Sequence, residues 1–447
     1  MTRRHVIIGS GIAGLTAAET LRERDPGAEV TLVGAEAHPF YSRPGLAYLL
    51  AGALPERQLE LRTKAELRAL ALDRLVDEVT ALEPEAHRVR LRTRGVLAYD
   101  RLLLATGSAA VAPDFPGATL DGVVKLDGLD DARDILRRAR RARTAVVVGG
   151  GATAVELAEG LAARGVRVHY LMRGARYWAS VLEPAESALV EEGLAAEGIE
   201  LHRHERVVGV DEERGRVRAV RTSSGAVVPC ELVAVAIGVR PRVELARAAG
   251  LSVERGIAVD AGLRTSAPDV FAAGDAAELR DPDGGAGRCD VLWSSAVAHG
   301  RVAAGAMLGE AAALDLRPRQ NVMRLGGVTT TVVGAVGAGD GAADDPDLVA
   351  IARGDSERWR DRPRGQAFHD RGARFRIRAH VGERTVVGAV VLGDARAARA
   401  LAHLVRAGTD VSALGAGLSA DPEHAVAALV ALGEAAEQRE ASGAARA

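Results

Sequence analysis

The 447-residue sequence predicts an α/β chain: two copies of a strand–glycine turn–helix unit, with a smaller α+β region after them. Three observations predict this. An apolar run at 5–8 leads straight into Gly9-x-Gly11-x-x-Gly14 and then an Ala- and Leu-rich helix over 15–24. The same order returns at 144–148, with Gly149-x-Gly151-x-x-Ala154 and a helix over 155–164. Beyond about Leu316 the pattern changes to Thr-, Val- and Gly-rich stretches and two helices.

The first unit carries a dinucleotide fingerprint. Gly9 permits the tight turn, Gly11 lets backbone approach a pyrophosphate, and Gly14 lets helix and strand pack closely. The helix N-terminus offers N–H groups and a positive dipole end to phosphate. A second strand over 29–33 ends near Glu36, where a ribose-binding acid is expected. Next come two prolines, Arg43 and an apolar helical run to Gly52. A loop and short helix over 55–72 follow, then strands over 75–82 and 87–91, a turn at Gly95, and a strand over 99–104 ending in Ala105-Thr106-Gly107.

After a Pro-rich crossover at 111–117 and a charged helix over 129–140, the second unit begins. Its second strand spans 166–172, and its closing run 232–238 matches 102–107. Two such units imply two dinucleotides, one held and one exchanged. The stretch Thr265 to Asp275 runs from a turn into a short strand ending on an acid. A small-residue helix over 293–307 follows, with Ser294 or Ser295 able to cap it and its N-terminus suited to an anionic flavin edge. In the last region, 322–336 and 375–392 read as strands. Helices are expected over 395–407, capped by Asp394, and over 422–438, with an acidic loop at 337–346 and a frayed tail at 439–447.

Composition narrows the classes. Hydrophobic residues make up 48% and charged residues 26%, and the net charge is −2, so neither nucleic acid nor an anionic membrane is the expected partner. No apolar run approaches a membrane span. A first strand starting within five residues leaves no room for a signal peptide, and a cytoplasmic location is expected. The two cysteines, Cys230 and Cys289, are far apart and form no CxxC pair, zinc ligand set or iron–sulfur motif. His369, His380, His403 and His424 lack metal spacing, so no metal is expected.

The order of these parts resembles the FAD-dependent pyridine nucleotide-disulfide oxidoreductase superfamily. Within it the chain looks most similar to the branch of rubredoxin and ferredoxin reductases and the flavin domain of NADH-dependent nitrite reductases. Five motifs carry the resemblance over about 3–310: the first glycine turn with Glu36, Ala105-Thr106-Gly107, the second glycine turn, Ala236-Ile237-Gly238-x-Arg240-Pro241, and Thr265 to Asp275. The resemblance implies two Rossmann-like domains, with a discontinuous FAD domain (1–112 and 241–315), an inserted NAD(P)H domain (113–240) and a small C-terminal α+β domain (316–447). FAD is expected on Gly9, Gly11, Ala13, Gly14, Glu36, Arg43, Pro44, Thr106, Gly107, Gly274, Asp275 and Trp293. Glu36 would bind the adenosine ribose and Asp275 the ribitol or pyrophosphate. Arg43 and Pro44 would lie near the pyrophosphate and isoalloxazine. NADH or NADPH is expected on Gly149, Gly151, Ala152, Arg173, Arg176 and Gly238, with Glu156 near the nicotinamide–flavin contact.

Departures from the family pattern carry information. Where disulfide reductases place redox cysteines, 40–50 contains Ser42 and no Cys. Tyr48 stands where the reductase branch often has Lys, and Ala152 and Thr153 where many relatives carry a bulky gate. Met172 stands where NADH-binding relatives carry Glu, with Arg173 and Arg176 following; this favours NADPH slightly, because Arg welcomes a 2′-phosphate. The expected reaction moves hydride from NAD(P)H to FAD and electrons on to an external acceptor, without a redox disulfide. The acceptor is a ferredoxin- or rubredoxin-type protein, a quinone or a similar small molecule. The alternatives are a hydrogen peroxide-forming NAD(P)H oxidase and a non-enzymatic FAD-binding redox-sensing or structural flavoprotein. A monomer or homodimer is expected.

Overall fold

A computed structural model describes residues 3–281, 284–338 and 355–444. The first sheet is built on Arg4–Ile8, whose residues from His5 on are buried. It pairs in parallel with Glu29–Gly34 on one side and Arg101–Leu104 on the other. Asp73–Val76 and Val270–Ala272 complete the sheet at its two edges. Burial on both faces explains the near-continuous apolar runs.

The second sheet repeats this order. Thr144–Val148 lies centrally between Arg167–Leu171 and Leu232–Val235, with Glu200–His202 and Val123–Lys125 at the edges. Each unit also carries a three-stranded antiparallel meander, Val79–Glu83 to Gly95–Ala98 in the first and Val207–Glu213 to Val227–Pro229 in the second. Each sheet also takes one edge strand from outside the run that begins at its own glycine turn. The first sheet takes Val270–Ala272 from after the second unit, and the second takes Val123–Lys125 from before its own glycine turn. An antiparallel pair, Ser108–Ala110 with Val239–Pro241, joins them.

The C-terminal region is α+β: a five-stranded antiparallel sheet backed by Ala395–Ala407 and Pro422–Ala444. Asp394 caps the first of these helices, accepting from the Arg396 and Ala397 N–H groups at 2.9 Å. Several local readings change. Each expected strand here is a hairpin, because its apolar run is longer than a typical strand. Residues 322–336 fall in Gln320–Leu325 and Val328–Gly334, turned at Gly326 and Gly327, both at positive φ. Residues 375–392 fall in Arg376–Val381 and Val386–Leu392. The final helix runs on to Ala444 into the stretch expected to fray, whose Ala, Glu and Arg residues are good helix formers. An Arg399–Glu437 ion pair at 3.1 Å ties it to the preceding helix. Of the acidic loop at 337–346, the part from 339 on lies outside the described residues.

The C-terminal region is firmly seated on the second unit. Arg378, 1% exposed, donates to Glu186 at 2.8 Å and to the carbonyls of Val336 and Val181 at 2.7 Å. The hairpin turn presses on the helix Pro184–Ala196 so tightly that a Cβ on Gly193 would lie 1.8 Å from the Gly326 carbonyl oxygen. Trp178 and Trp359 meet edge to face with centroids 5.9 Å apart.

Candidate functional site

The first glycine turn divides its tasks as stereochemistry requires. Gly9 sits at φ +119°, and a Cβ there would fall 2.0 Å from the Ala105 carbonyl oxygen. A Cβ on Gly14 would fall 2.1 Å from the Gly9 carbonyl oxygen, so helix and strand approach only without a side chain. At Gly11 nothing lies within 4 Å; a side chain there would enter a cleft. The helix Ile12–Arg24 starts at Gly11 with no side-chain cap, which leaves its first N–H groups for a ligand.

That cleft encloses about 1400 Å³, more than the ~300–1,000 Å³ of a common small-molecule pocket. Its wall includes Gly9, Gly11, Ala13, Glu36, Arg43, Pro44, Thr106, Gly107, Gly274, Asp275, Trp293, Ala152 and Glu156. Gly14 stays behind the wall as a packing residue.

At one end Glu36 follows Glu29–Gly34. The Arg43 guanidinium pairs with it, and the Tyr41 hydroxyl donates to Glu36 Oε2 at 2.9 Å. Arg43 also donates to the Asp127 carbonyl at 2.6 Å and lies over the Tyr41 ring. Burial pushes the Tyr41 hydroxyl up to about 12, so it stays a donor at neutral pH. Midway, Thr106 Oγ1 donates to the Arg242 carbonyl at 2.8 Å, and Arg242 reaches Asp127 Oδ2 at 2.7 Å. Ser108 Oγ donates to Asp275 Oδ2 at 2.7 Å, orienting the acid that ends the Thr265 to Asp275 motif. Tyr41, Ser108, Asp127 and Arg242 were not expected from the sequence. Arg242 directly follows Pro241, and Tyr41 sits between Glu36 and Arg43, so both had a positional signal.

The helix Trp293–Leu308 brings Trp293 and Ala296 to the cleft. Its cap is Leu292; Ser294 and Ser295 fall inside the first turn, and the Ser295 hydroxyl is buried without a hydrogen-bond partner. The small residues serve a helix–helix contact: a Cβ on Gly300 would lie 2.5 Å from the Ala13 carbonyl oxygen. Burial holds His299 down at about 4, leaving it neutral, and its Nδ1 accepts from the Gly274 N–H at 3.2 Å.

At the far end the wall is shared. Ala152, Glu156 and Glu159 come from the helix Ala152–Ala162, Tyr48 from Gly45–Ala51, and Asn321, Val322, Met323 and Arg324 from the C-terminal sheet. The last four had no sequence signal, since Gln320–Leu325 reads as any half-buried strand. Burial pushes the Glu159 carboxyl up to about 7, against the pull of the Gly327 N–H that donates to it at 3.1 Å.

The second turn has the same geometry: Gly149 lies at φ +156°, and its Cβ would fall 2.2 Å from the Ala236 carbonyl oxygen. Gly151 and Gly238 line a separate, smaller cavity with Thr153. Met172 is buried and Arg173 exposed, whereas Arg176 donates to the Ala179 and Leu182 carbonyls at 3.3 Å. Cys230 and Cys289 are buried free thiols outside the cleft wall, and burial raises both pKa values.

These features fit FAD: an open glycine, an uncapped helix N-terminus, a braced acid one strand over and an oriented aspartate beyond. A family model described as pyridine nucleotide-disulphide oxidoreductase matches residues 3–300. The chain belongs to this family. It is a FAD-dependent NAD(P)H oxidoreductase, with FAD and NAD(H) as cofactors. The ferredoxin–NAD(+) reductase component of the biphenyl dioxygenase system of Paraburkholderia xenovorans LB400 is 35% identical over 305 residues, 68% of this chain and 74% of that one. An NADH oxidase of Methanocaldococcus jannaschii is 30% identical over 321 residues, 67% and 69% of the two chains. The crystal structure of the ferredoxin reductase for the CYP199A2 system of Rhodopseudomonas palustris superposes with a TM-score of 0.81 at 26% identity, covering 95% of this chain and all of that one. Among the described residues no helix is long and apolar enough to cross a membrane.

Proposed function

We propose that this oxidoreductase draws electrons from NAD(P)H and hands them to a small iron–sulfur or rubredoxin-type protein. The observation that carries the reading is the cleft wall. It combines a complete dinucleotide cradle with no cysteine, so electrons have no disulfide of the chain's own to enter. Gly11 and the N-terminus of Ile12–Arg24 would hold the FAD pyrophosphate, Glu36 the adenosine ribose, and Asp275 the ribitol side. Arg43 and Tyr41 fix the Glu36 carboxylate, and Ser108 fixes Asp275. Bound there, FAD supplies the exchange between a two-electron donor and one-electron acceptors. Glu156 would stand near the nicotinamide, entering by way of the Gly149 turn.

The division at 1–112, 113–240, 241–315 and 316–447 belongs to this proposal, as does a cytoplasmic location. So does a modest preference for NADPH, supported by the buried Met172 and the exposed Arg173. Arg176, engaged with backbone carbonyls, contributes less. The test is anaerobic rapid mixing with NADH or NADPH, watching flavin absorbance, followed by oxidised ferredoxin or rubredoxin. Fast bleaching and fast recovery on adding the carrier are expected. Recovery with dioxygen alone would favour an oxidase, as the archaeal relative's name suggests; bleaching over many minutes would favour a non-enzymatic flavoprotein. Arg173→Ala should lower kcat/KM for NADPH selectively.

A further inference from the structure

Away from the cleft, the parallel pairing of two neighbouring strands assembles a set of side chains that the chain order conceals. His169 on Arg167–Leu171 stands in register with Glu200 on the edge strand Glu200–His202. His202, two residues along, projects to the same face as Glu200. His169 Nδ1 lies 3.0 Å from His202 Nε2 and 3.3 Å from Glu200 Oε2, and His202 Nε2 lies 3.4 Å from Glu200 Oε1. One ligand atom from each residue falls within 4.8 Å of the others.

We propose that His169, Glu200 and His202 form a binding site for a divalent first-row transition cation of the Zn²⁺ class. A tetrahedron with metal–ligand bonds of ~2.0–2.1 Å has edges of about 3.3 Å. The two imidazole nitrogens stand 3.0 Å apart, and each has one of the two Glu200 oxygens at 3.3–3.4 Å, so small side-chain rotations bring one oxygen and both nitrogens around a cation. Two imidazoles and one carboxylate select a borderline cation over Ca²⁺ or Mg²⁺, which take oxygen ligands. The imidazoles are mostly shielded, with side chains 16% and 25% exposed, while Glu200, at 60%, faces solvent. A cation therefore enters from the carboxylate side, and three protein ligands leave its fourth position to water. The site lies at the root of the loop that carries Met172 and Arg173, because the His202 carbonyl accepts the Met172 N–H at 2.9 Å. An occupied site clamps the edge strand to its neighbour directly beneath that loop. The proposal runs against the expectation of a chain without a metal site, and the following test decides between them.

The test uses untagged, flavin-loaded protein stripped with a chelator and dialysed against Zn²⁺ alone, with metal counted by mass spectrometry. One Zn²⁺ per chain is expected. His169→Ala, His202→Ala and Glu200→Gln should each weaken binding by at least about tenfold. Co²⁺ in place of Zn²⁺ should give a visible d–d band that the His169→Ala/His202→Ala double variant lacks. Absence of uptake by the wild type, or equal uptake by the double variant, overturns the proposal. Should the histidine variants lose flavin or fail to fold, the exposed Glu200→Gln decides alone: a tenfold loss supports the site, and unchanged affinity overturns it.

Discussion

The two glycine turns share a strand order yet are finished differently. Around the first, Ile12–Arg24 is clamped by Trp293–Leu308, with Gly300 against the Ala13 backbone. Its acid, Glu36, is held by Arg43 and Tyr41. Around the second, Ala152–Ala162 rests on Gly45–Ala51 of the other unit, where a Cβ on Gly160 would come within 2.9 Å of Leu50 Cβ. The acid's place is taken by buried Met172, and exposed Arg173 follows it. On the proposed function, the braced first cradle suits the nucleotide that stays bound, and the second turn, which has no such braced acid, the one that is exchanged. A shared strand order gives both turns one frame, and the residues around each set the difference.

The largest effect should come from breaking the first cradle. Gly9→Ala places a methyl inside the Ala105 carbonyl at positive φ, and should cost enough stability to leave no soluble flavoprotein. A Cβ on Gly11 meets nothing within 4 Å and a longer side chain there would enter the cleft, so Gly11→Leu should fold but carry little flavin. Absorbance of purified protein, with circular dichroism, separates the two outcomes.

Next is the seating of the second unit. Arg378→Met strands the buried Glu186 carboxylate, and should lower stability by ~3–5 kcal/mol, measured by denaturant titration. Removing the exposed Arg4–Asp100 pair should change it by less than ~1 kcal/mol.

The acids come third. Glu36→Ala should weaken FAD binding by ~2 kcal/mol, since a charged hydrogen bond is lost, as read by flavin release on dilution. The reciprocal Met172→Glu should favour NADH over NADPH by about tenfold or more in kcat/KM.

Smallest is a pH effect at the shared wall. Glu159 holds a proton in the folded state up to about 7, whereas the unfolded carboxyl releases it near 4.5. The folded chain therefore binds more protons in that window, and stability falls as pH rises from about 4.5 to 7, then levels off. Glu159→Gln keeps an acceptor for the Gly327 N–H. It should flatten this slope and gain on the order of 1–2 kcal/mol at pH 8, as measured by thermal melts across pH.

What the sequence determined by itself was local or periodic. Gly9, Gly11 and Gly14 are legible because positive φ and close backbone approach are demands on single residues. The central strands are legible because burial on both faces leaves unbroken apolar runs. Tertiary structure alone decided which distant residues meet. Arg242 reaches Asp127 across 115 positions and Arg378 reaches Glu186 across 192. The C-terminal strand that closes the cleft, and the His169–Glu200–His202 cluster, likewise depend on register between strands far apart in the chain. Such pairings leave no periodic trace, because each partner alone reads as an ordinary polar residue; only the folded chain brings them together.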